Sequence, residues 1–366
     1  MTDLLSNCKR IVFKIGSSTL MKDNGQVDGA TIHRLTALWA SLYDEGKEIL
    51  LVSSGAMAMG WGDLNLQEKP KGIPEKQAAA AVGQSKLMAL YDDFFSACGI
   101  GVGQVLLTRD DIADRHRYLN ARNTLNVLLK NRIIPIINEN DTVAFDEIKF
   151  GENDSLAALV GSLIDADLIL ILSDIDGLYT ADPRKDPSAA LIHQVTEIND
   201  EIRKLAGGVG TAMGSGGMKS KIEAAKIAGQ SGIPLMICQG KDVPNIGEVL
   251  KGGKRCTIFL PHEQGLKQRD RWIAYGSAIE GSVTADHGAV HALIRGKSLL
   301  PVGVIACDGV FGRGSVIAVK DPRGKEIARG ITNYRADDIR EIMGRKCDAE
   351  EDIFEVIHCD NLVLKD

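Results

Sequence analysis

Apolar positions in the first 260 residues follow two alternating rhythms. Short, nearly unbroken runs of Ile, Leu and Val occupy 10–14, 48–53, 101–107, 133–138, 168–173, 234–238 and 256–259. Runs of this length without a polar alternation read as strands covered on both faces. Between them lie segments with helical spacing, at 29–45, 75–97, 121–131, 155–164, 219–231 and 243–250. The alternation predicts an α/β fold, a mainly parallel sheet sandwiched by helices. After about Gly265 the rhythm changes to short apolar pieces punctuated by glycine, at 281–283, 288–290, 303–305, 309–311 and 314–317. That spacing predicts a second, small β-rich domain, a barrel or sandwich. The expected division is a first domain at 1–260, a linker at 261–268 and a second domain at 269–366.

Composition narrows the class. With 366 residues, 44% hydrophobic and 25% charged, the chain has the make-up of an ordinary globular protein large enough for two cores. A net charge of −6 argues against general nucleic-acid binding over the whole surface. Seven cysteines are scattered without a Cys-x-x-Cys pair, so reduced thiols and a cytoplasmic location are expected. Leu4-Leu5 is followed at once by polar and basic residues, so no signal peptide is expected, and no apolar run approaches membrane-spanning length.

The tripeptide Glu-Asn-Asp occurs twice, at Glu139-Asn140-Asp141 and Glu152-Asn153-Asp154. The first follows a predicted strand and the second opens a predicted helix, the places where open α/β sheets bind ligands. Such groups suit a cation, a substrate ammonium or a pair of lysines; ordinary N-caps and Asx-turns use the same residues. Lys14-Ile15-Gly16-Ser17-Ser18 ends the first strand with a lysine and a glycine turn, which suits phosphate, although a snorkelling lysine beside a tight turn looks the same. Ser53-Ser54-Gly55-Ala56 is a second small-residue turn. Gly214-Ser215-Gly216-Gly217-Met218-Lys219-Ser220-Lys221 precedes an Ala-rich helix, and lysines in a helix's first turn run against the usual acidic preference. An anion bound at that N-terminus explains them. Met218 replaces the glycine of a Walker A loop, so this is a different phosphate site. Ser173-Asp174-Ile175-Asp176-Gly177 suits magnesium, a nucleotide contact or a plain turn, and its spacing is not that of an EF-hand. His287 and His291 lie four apart in a glycine-rich stretch read as non-helical, which argues against a metal pair, and no residue is assigned as a metal ligand. Two lysines from separate turns with carboxylates and amides between them fit phosphoryl transfer.

These segments, together with Gly177-Leu178-Tyr179-Thr180-Ala181-Asp182-Pro183, resemble the amino acid kinase family. Asp286-His287-Gly288-Ala289, Gly296-Lys297-Ser298-Leu299-Leu300-Pro301 and Phe311-Gly312-Arg313-Gly314 resemble a PUA domain. The resemblance implies the amino acid kinase fold and transfer of the γ-phosphoryl group of ATP, as its Mg2+ complex, to the side-chain carboxylate of L-glutamate. It implies that Lys14 and Lys221 contact the transferring phosphate while Asp154 holds both lysines. Ser54, Gly55, Asp141 and Asn153 would bind the amino acid. Lys14, Ser173, Asp174, Ser215, Gly216, Gly217, Met218, Lys219, Ser220 and Lys221 would line the nucleotide site. Feedback inhibition by proline, through the glutamate site and residues 143–150, is implied as well. So are a homo-oligomer and handover of the acyl phosphate product to a glutamyl phosphate reductase. A kinase of the same fold acting on aspartate, acetylglutamate, carbamate or a nucleotide monophosphate is the near alternative. An RNA-associated sensor is the distant one. Residues 269–345 carry twelve basic against nine acidic side chains and the tail beyond is acidic, which argues against RNA binding.

Overall fold

The computed structural model describes residues 8–22, 24–64, 70–143, 153–205, 217–253, 255–261, 272–276, 278–345 and 355–365. The chain divides into two compact units, one of residues 1–112 and 116–265 and one of residues 266–366 with 113–115. Of the linker expected at 261–268, only Pro261 lies among the described residues.

The larger unit is built on an eight-stranded sheet. Its strands are β1 (Arg10–Ile15), β2 (Glu48–Ser53), β3 (Val102–Leu107), β4 (Ile134–Glu139) and β5 (Leu168–Ser173), then β8 (Gln194–Val195), β9 (Leu235–Gln239) and β10 (Thr257–Phe259). A separate hairpin pairs β6 (Leu178–Tyr179) with β7 (Leu191–Ile192). The order across the sheet is β3-β4-β2-β1-β5-β9-β10-β8, parallel throughout except where β10 runs antiparallel to β9. The apolar runs anticipated these strands within about a residue. The short strands β6 to β8 carry too few apolar residues to stand out from their loops.

Side chains alternate across a strand, so odd and even positions of β1 face opposite layers. Ile11, Phe13 and Ile15 join Trp39 of helix Gly29–Asp44 and Leu87, Tyr91 and Phe95 of helix Ile73–Ser96 in one buried cluster. Phe13 meets Trp39 edge-on at 5.8 Å between centroids, and Trp39 stacks on Phe95 at 6.1 Å. The alternation turns Lys14 to the other layer, where helix Asn153–Leu163 packs on β1, β2, β4 and β5 and against helix Met218–Gln230. One period-two step therefore decides that this lysine meets the start of a helix and is kept out of the aromatic cluster.

β1 lies between β2 and β5, and the chain leaves it first towards β2 and later returns on the side of β5. The carboxyl ends of β1, β2 and β5 flank this reversal, where a crevice opens in such sheets. A second device shapes the same end. A Cβ on Gly83 would overlap the Ala56 carbonyl oxygen, and one on Gly60 would overlap that of Ala79. Helix Ile73–Ser96 thus crosses helix Ala56–Gly60 backbone against backbone, which only glycine allows. This seats the turn Ser54-Gly55, whose Gly55 has φ 105°.

The smaller unit has a five-stranded sheet in the order β12-β11-β13-β14-β15, made of β11 (Gly281–Ala285), β12 (Val304–Gly309), β13 (Val316–Lys320), β14 (Glu326–Ile331) and β15 (Leu362–Leu364). Only β11 and β13 pair in parallel. Its core includes Val283, Leu293, Val304, Phe311, Ile317, Ile339 and Ile357. Two expectations are corrected here. The stretch 288–290 belongs to helix His287–Ile294, because Asp286 accepts from the Ala289 N–H at 2.6 Å and caps it, while Ala289, Val290 and Leu293 supply a helical apolar face. The histidines at 287 and 291 are therefore on a helix, contrary to the reading of that stretch as non-helical. Residues 309–311 are no strand of their own: Gly309 ends β12 and Val310 is 91% exposed.

Candidate functional site

Asp154 sits at the first turn of helix Asn153–Leu163 with no exposed surface. Lys14 Nζ lies 2.7 Å from its Oδ1 and Lys221 Nζ 3.1 Å from its Oδ2. Both lysines are buried, at 7% and 4% exposure, and the Ser220 hydroxyl donates to Oδ2 at 2.8 Å. Burial alone pushes the Asp154 carboxyl up. The ammonium groups of Lys14 and Lys221, with hydrogen bonds from Lys14 and Ser220, outweigh it and hold the pKa down at about 2. Two buried ammonium groups thus share one buried carboxylate. An anion brought between two buried ammonium groups is held strongly, because little water screens the attraction.

The positions follow from local structure. Lys14 is the fifth residue of β1, and Gly16, just beyond the strand, leaves room beside its ammonium: a Cβ there would come 3.7 Å from Nζ. Lys221 is the fourth residue of helix Met218–Gln230, whose buried Ala224, Ala225 and Ala228 bring it close to helix Asn153–Leu163. Gly217 precedes it with extended backbone and no side-chain cap. Of the nucleotide residues expected from the sequence, Ser173 is buried at the end of β5 and donates to Asp174 at 3.1 Å, and Asp174 is exposed. Lys219 is exposed. Ser220 turns its hydroxyl to Asp154, and Ser215 and Gly216 lie outside the described residues.

A second group of polar side chains adjoins the first. The Asn153 amide Nδ2 lies 2.9 Å from the Ser53 carbonyl oxygen, 2.9 Å from Ser54 Oγ and 2.9 Å from Asn138 Oδ1. Asn138, at the end of β4, also accepts from the Glu139 N–H and donates to Gln84 Oε1 at 2.9 Å. Ser53 Oγ pairs with the Tyr91 hydroxyl at 2.9 Å, where burial pushes the phenol's pKa up. Asp141 is partly buried in the turn after β4. Of the segment 143–150, only Val143 is described. Gln84 and Tyr91 were not singled out in the sequence, because a glutamine and a tyrosine at helical spacing read as helix surface and core, and Ser53 and Asn138 were given no role of their own in the turn and strand that carry them. The available signal was Gly83, an isolated glycine within a run of good helix formers.

The potential metal ligands that cluster among the described residues are His358, Cys359 and Asp360 of the smaller unit. At the clamp, both Asp154 oxygens face cations or a hydroxyl, so this carboxylate does not fit as a magnesium ligand.

A parallel sheet with a buried cationic clamp at its topological reversal defines a phosphate-handling α/β protein. Residues 9–239 match the amino acid kinase family and residues 281–354 match the PUA domain, and the chain belongs to the amino acid kinase family. Glutamate 5-kinase of Moorella thermoacetica is 48% identical over 98% of this chain and 97% of that protein. That of Carboxydothermus hydrogenoformans is 49% identical over 100% of both, and that of Citrifermentans bemidjiense 48% over 99% of both. Within its family the chain groups with the glutamate 5-kinases.

Proposed function

We propose that the chain transfers the γ-phosphoryl group of ATP to the side-chain carboxylate of L-glutamate, giving L-glutamyl 5-phosphate, the first step of proline biosynthesis. The observation that carries this reading is the Lys14–Asp154–Lys221 clamp, two buried lysines on one buried carboxylate beside a row of amides and hydroxyls. The full-length relatives named glutamate 5-kinase support the choice of acceptor.

In this reading a glutamate carboxylate oxygen attacks the γ-phosphorus and the bond to the ADP oxygen breaks, ADP leaving with the electron pair. The attacking carboxylate is already ionised at neutral pH, so no general base is required. Charge spreads over the equatorial oxygens in the transition state, and Lys14 and Lys221 stabilise it from fixed positions. Asp154 holds the lysines apart and aimed. Ser54, Gly55, Asp141 and Asn153 bind glutamate. Ser173 and Asp174, with the loop and helix start at 215–221, receive the nucleotide. Mg2+ supplies further neutralisation of phosphate charge and enters as its complex with ATP.

The acyl phosphate hydrolyses readily, which favours handover to a glutamyl phosphate reductase. Inhibition by proline, a homo-oligomeric state and a cytoplasmic location belong to the same proposal. No helix among the described residues is long and apolar enough to cross a membrane. The test is ATP turnover by the full chain with candidate acids, trapping acyl phosphate as its hydroxamate. L-glutamate should give hydroxamate; product from aspartate or acetylglutamate with none from glutamate would overturn the assignment.

A further inference from the structure

The amide row has a direction, and it ends on a donor that the described residues do not pair. The Ser53 carbonyl is a fixed acceptor, so Asn153 must turn its NH2 toward it. The Glu139 backbone N–H is a fixed donor, so Asn138 must turn its oxygen toward it. Asn138 then offers only its NH2 to Gln84, which must answer with Oε1. Neither asparagine can flip without opposing two like groups, so the orientation of Gln84 is imposed. What remains is Gln84 Nε2, a buried donor with no hydrogen-bond partner among the described residues. Buried polar groups are nearly always paired, and an unpaired one calls for an explanation.

We propose that Gln84 is a specificity-determining residue whose Nε2 donates to the α-carboxylate of the amino-acid substrate. This rests on the glutamate kinase reading above. Gln84 ends a run of contacts that starts at Asp154 and its neighbour Asn153 and passes through Asn138. The carboxylate to be phosphorylated must lie at the lysine end of that run, which leaves the amino-acid end of the substrate for Gln84. An NH2 donor there suits a carboxylate and repels an ammonium. The crossing of Gly60 and Gly83 fixes the helix turn that carries Gln84, so the donor is held in place before substrate arrives.

The experiment is steady-state kinetics of the full chain, unmodified and with Gln84→Leu or Gln84→Glu, on L-glutamate and on its α-amide, which keeps the reactive side-chain carboxylate. Loss of one hydrogen bond to a charged group should raise KM for glutamate roughly 10- to 100-fold with Gln84→Leu. KM for ATP should hold. Gln84→Glu keeps an acceptor for Asn138 and presents another oxygen to the substrate, so it should shift preference from glutamate towards the α-amide. This variant carries the test if Gln84→Leu does not fold. An unchanged KM for glutamate in both variants overturns the inference, as does a loss that is equal for glutamate and its α-amide. An unmodified chain that forms no hydroxamate from L-glutamate overturns the parent reading as well.

Discussion

Replacing Asp154 with asparagine isolates the clamp's electrostatics, because the amide keeps shape and one acceptor oxygen while the charge is lost. Its NH2 would face one of the ammonium groups that now lie 2.7 and 3.1 Å from the carboxylate. At an effective dielectric of about 20, those separations correspond to roughly 6 and 5 kcal/mol of attraction before solvation is counted. Removing one member of a buried ion pair costs about 3–5 kcal/mol net. Spread over a unit of this size, that lowers the melting temperature by about 10 °C. The lysines then lose their shared carboxylate, which misplaces the charge meant for the phosphate. Turnover should therefore fall about 10²- to 10³-fold, the usual effect of losing one preorganised electrostatic contact. Hydroxamate formation measures the first effect and a thermal scan the second. Saturating nucleotide should narrow the thermal deficit of Asp154→Asn, since its phosphates replace the missing negative charge. A variant with near-normal turnover and melting temperature, or a deficit that widens with nucleotide, would refute the clamp.

Asp154 also sets an acid limit on stability. Its folded pKa of about 2 lies below the ordinary 3.8, so its contribution of about 2 kcal/mol is fully present above pH ~4 and is lost as pH falls toward 2. In denaturant titrations the stability gap between the unmodified chain and Asp154→Asn should narrow by about that amount over the window. Gly83→Ala forces a methyl group into the Ala56 carbonyl and should cost about 1–3 kcal/mol while raising KM for glutamate, read from chemical denaturation and kinetics together. Asp286→Ala removes the cap of helix His287–Ile294 and should destabilise the smaller unit by about 1 kcal/mol. Turnover should be unaffected, which activity measured beside a two-transition melt will check.

The strands of the larger unit were legible because a parallel strand buried on both faces is apolar at nearly every step, as residues 168–172 are. The helix at His287–Ile294 was not. Two of its eight residues are histidines and one is glycine, so the cap at Asp286 and the placement of Leu293 decide its state more than propensity does. At the site, Lys14 and Lys221 were legible as lysines beside glycine turns and Asp154 as part of a repeated tripeptide, while their joint role came from the family resemblance. Ser220 looked like part of a phosphate loop, yet its hydroxyl serves Asp154. Gln84 and Asn138 were invisible for a different reason. They lie 54 positions apart, and only the sheet order that puts β4 beside β2, together with the glycine crossing, brings them into contact.

Under the proposed function, the two neighbours at the start of helix Asn153–Leu163 join recognition to chemistry. Consecutive helical residues point about 100° apart, so Asn153 and Asp154 cannot serve the same group. One faces the row of Ser54, Asn138 and Gln84, the other the two lysines. Because a single turn carries both, in the proposed reaction a substrate held by Asn153 would also set the carboxylate that aims Lys14 and Lys221. A shorter acid would leave either the amide row or the clamp unsatisfied, and the site would discriminate through geometry shared by binding and transfer.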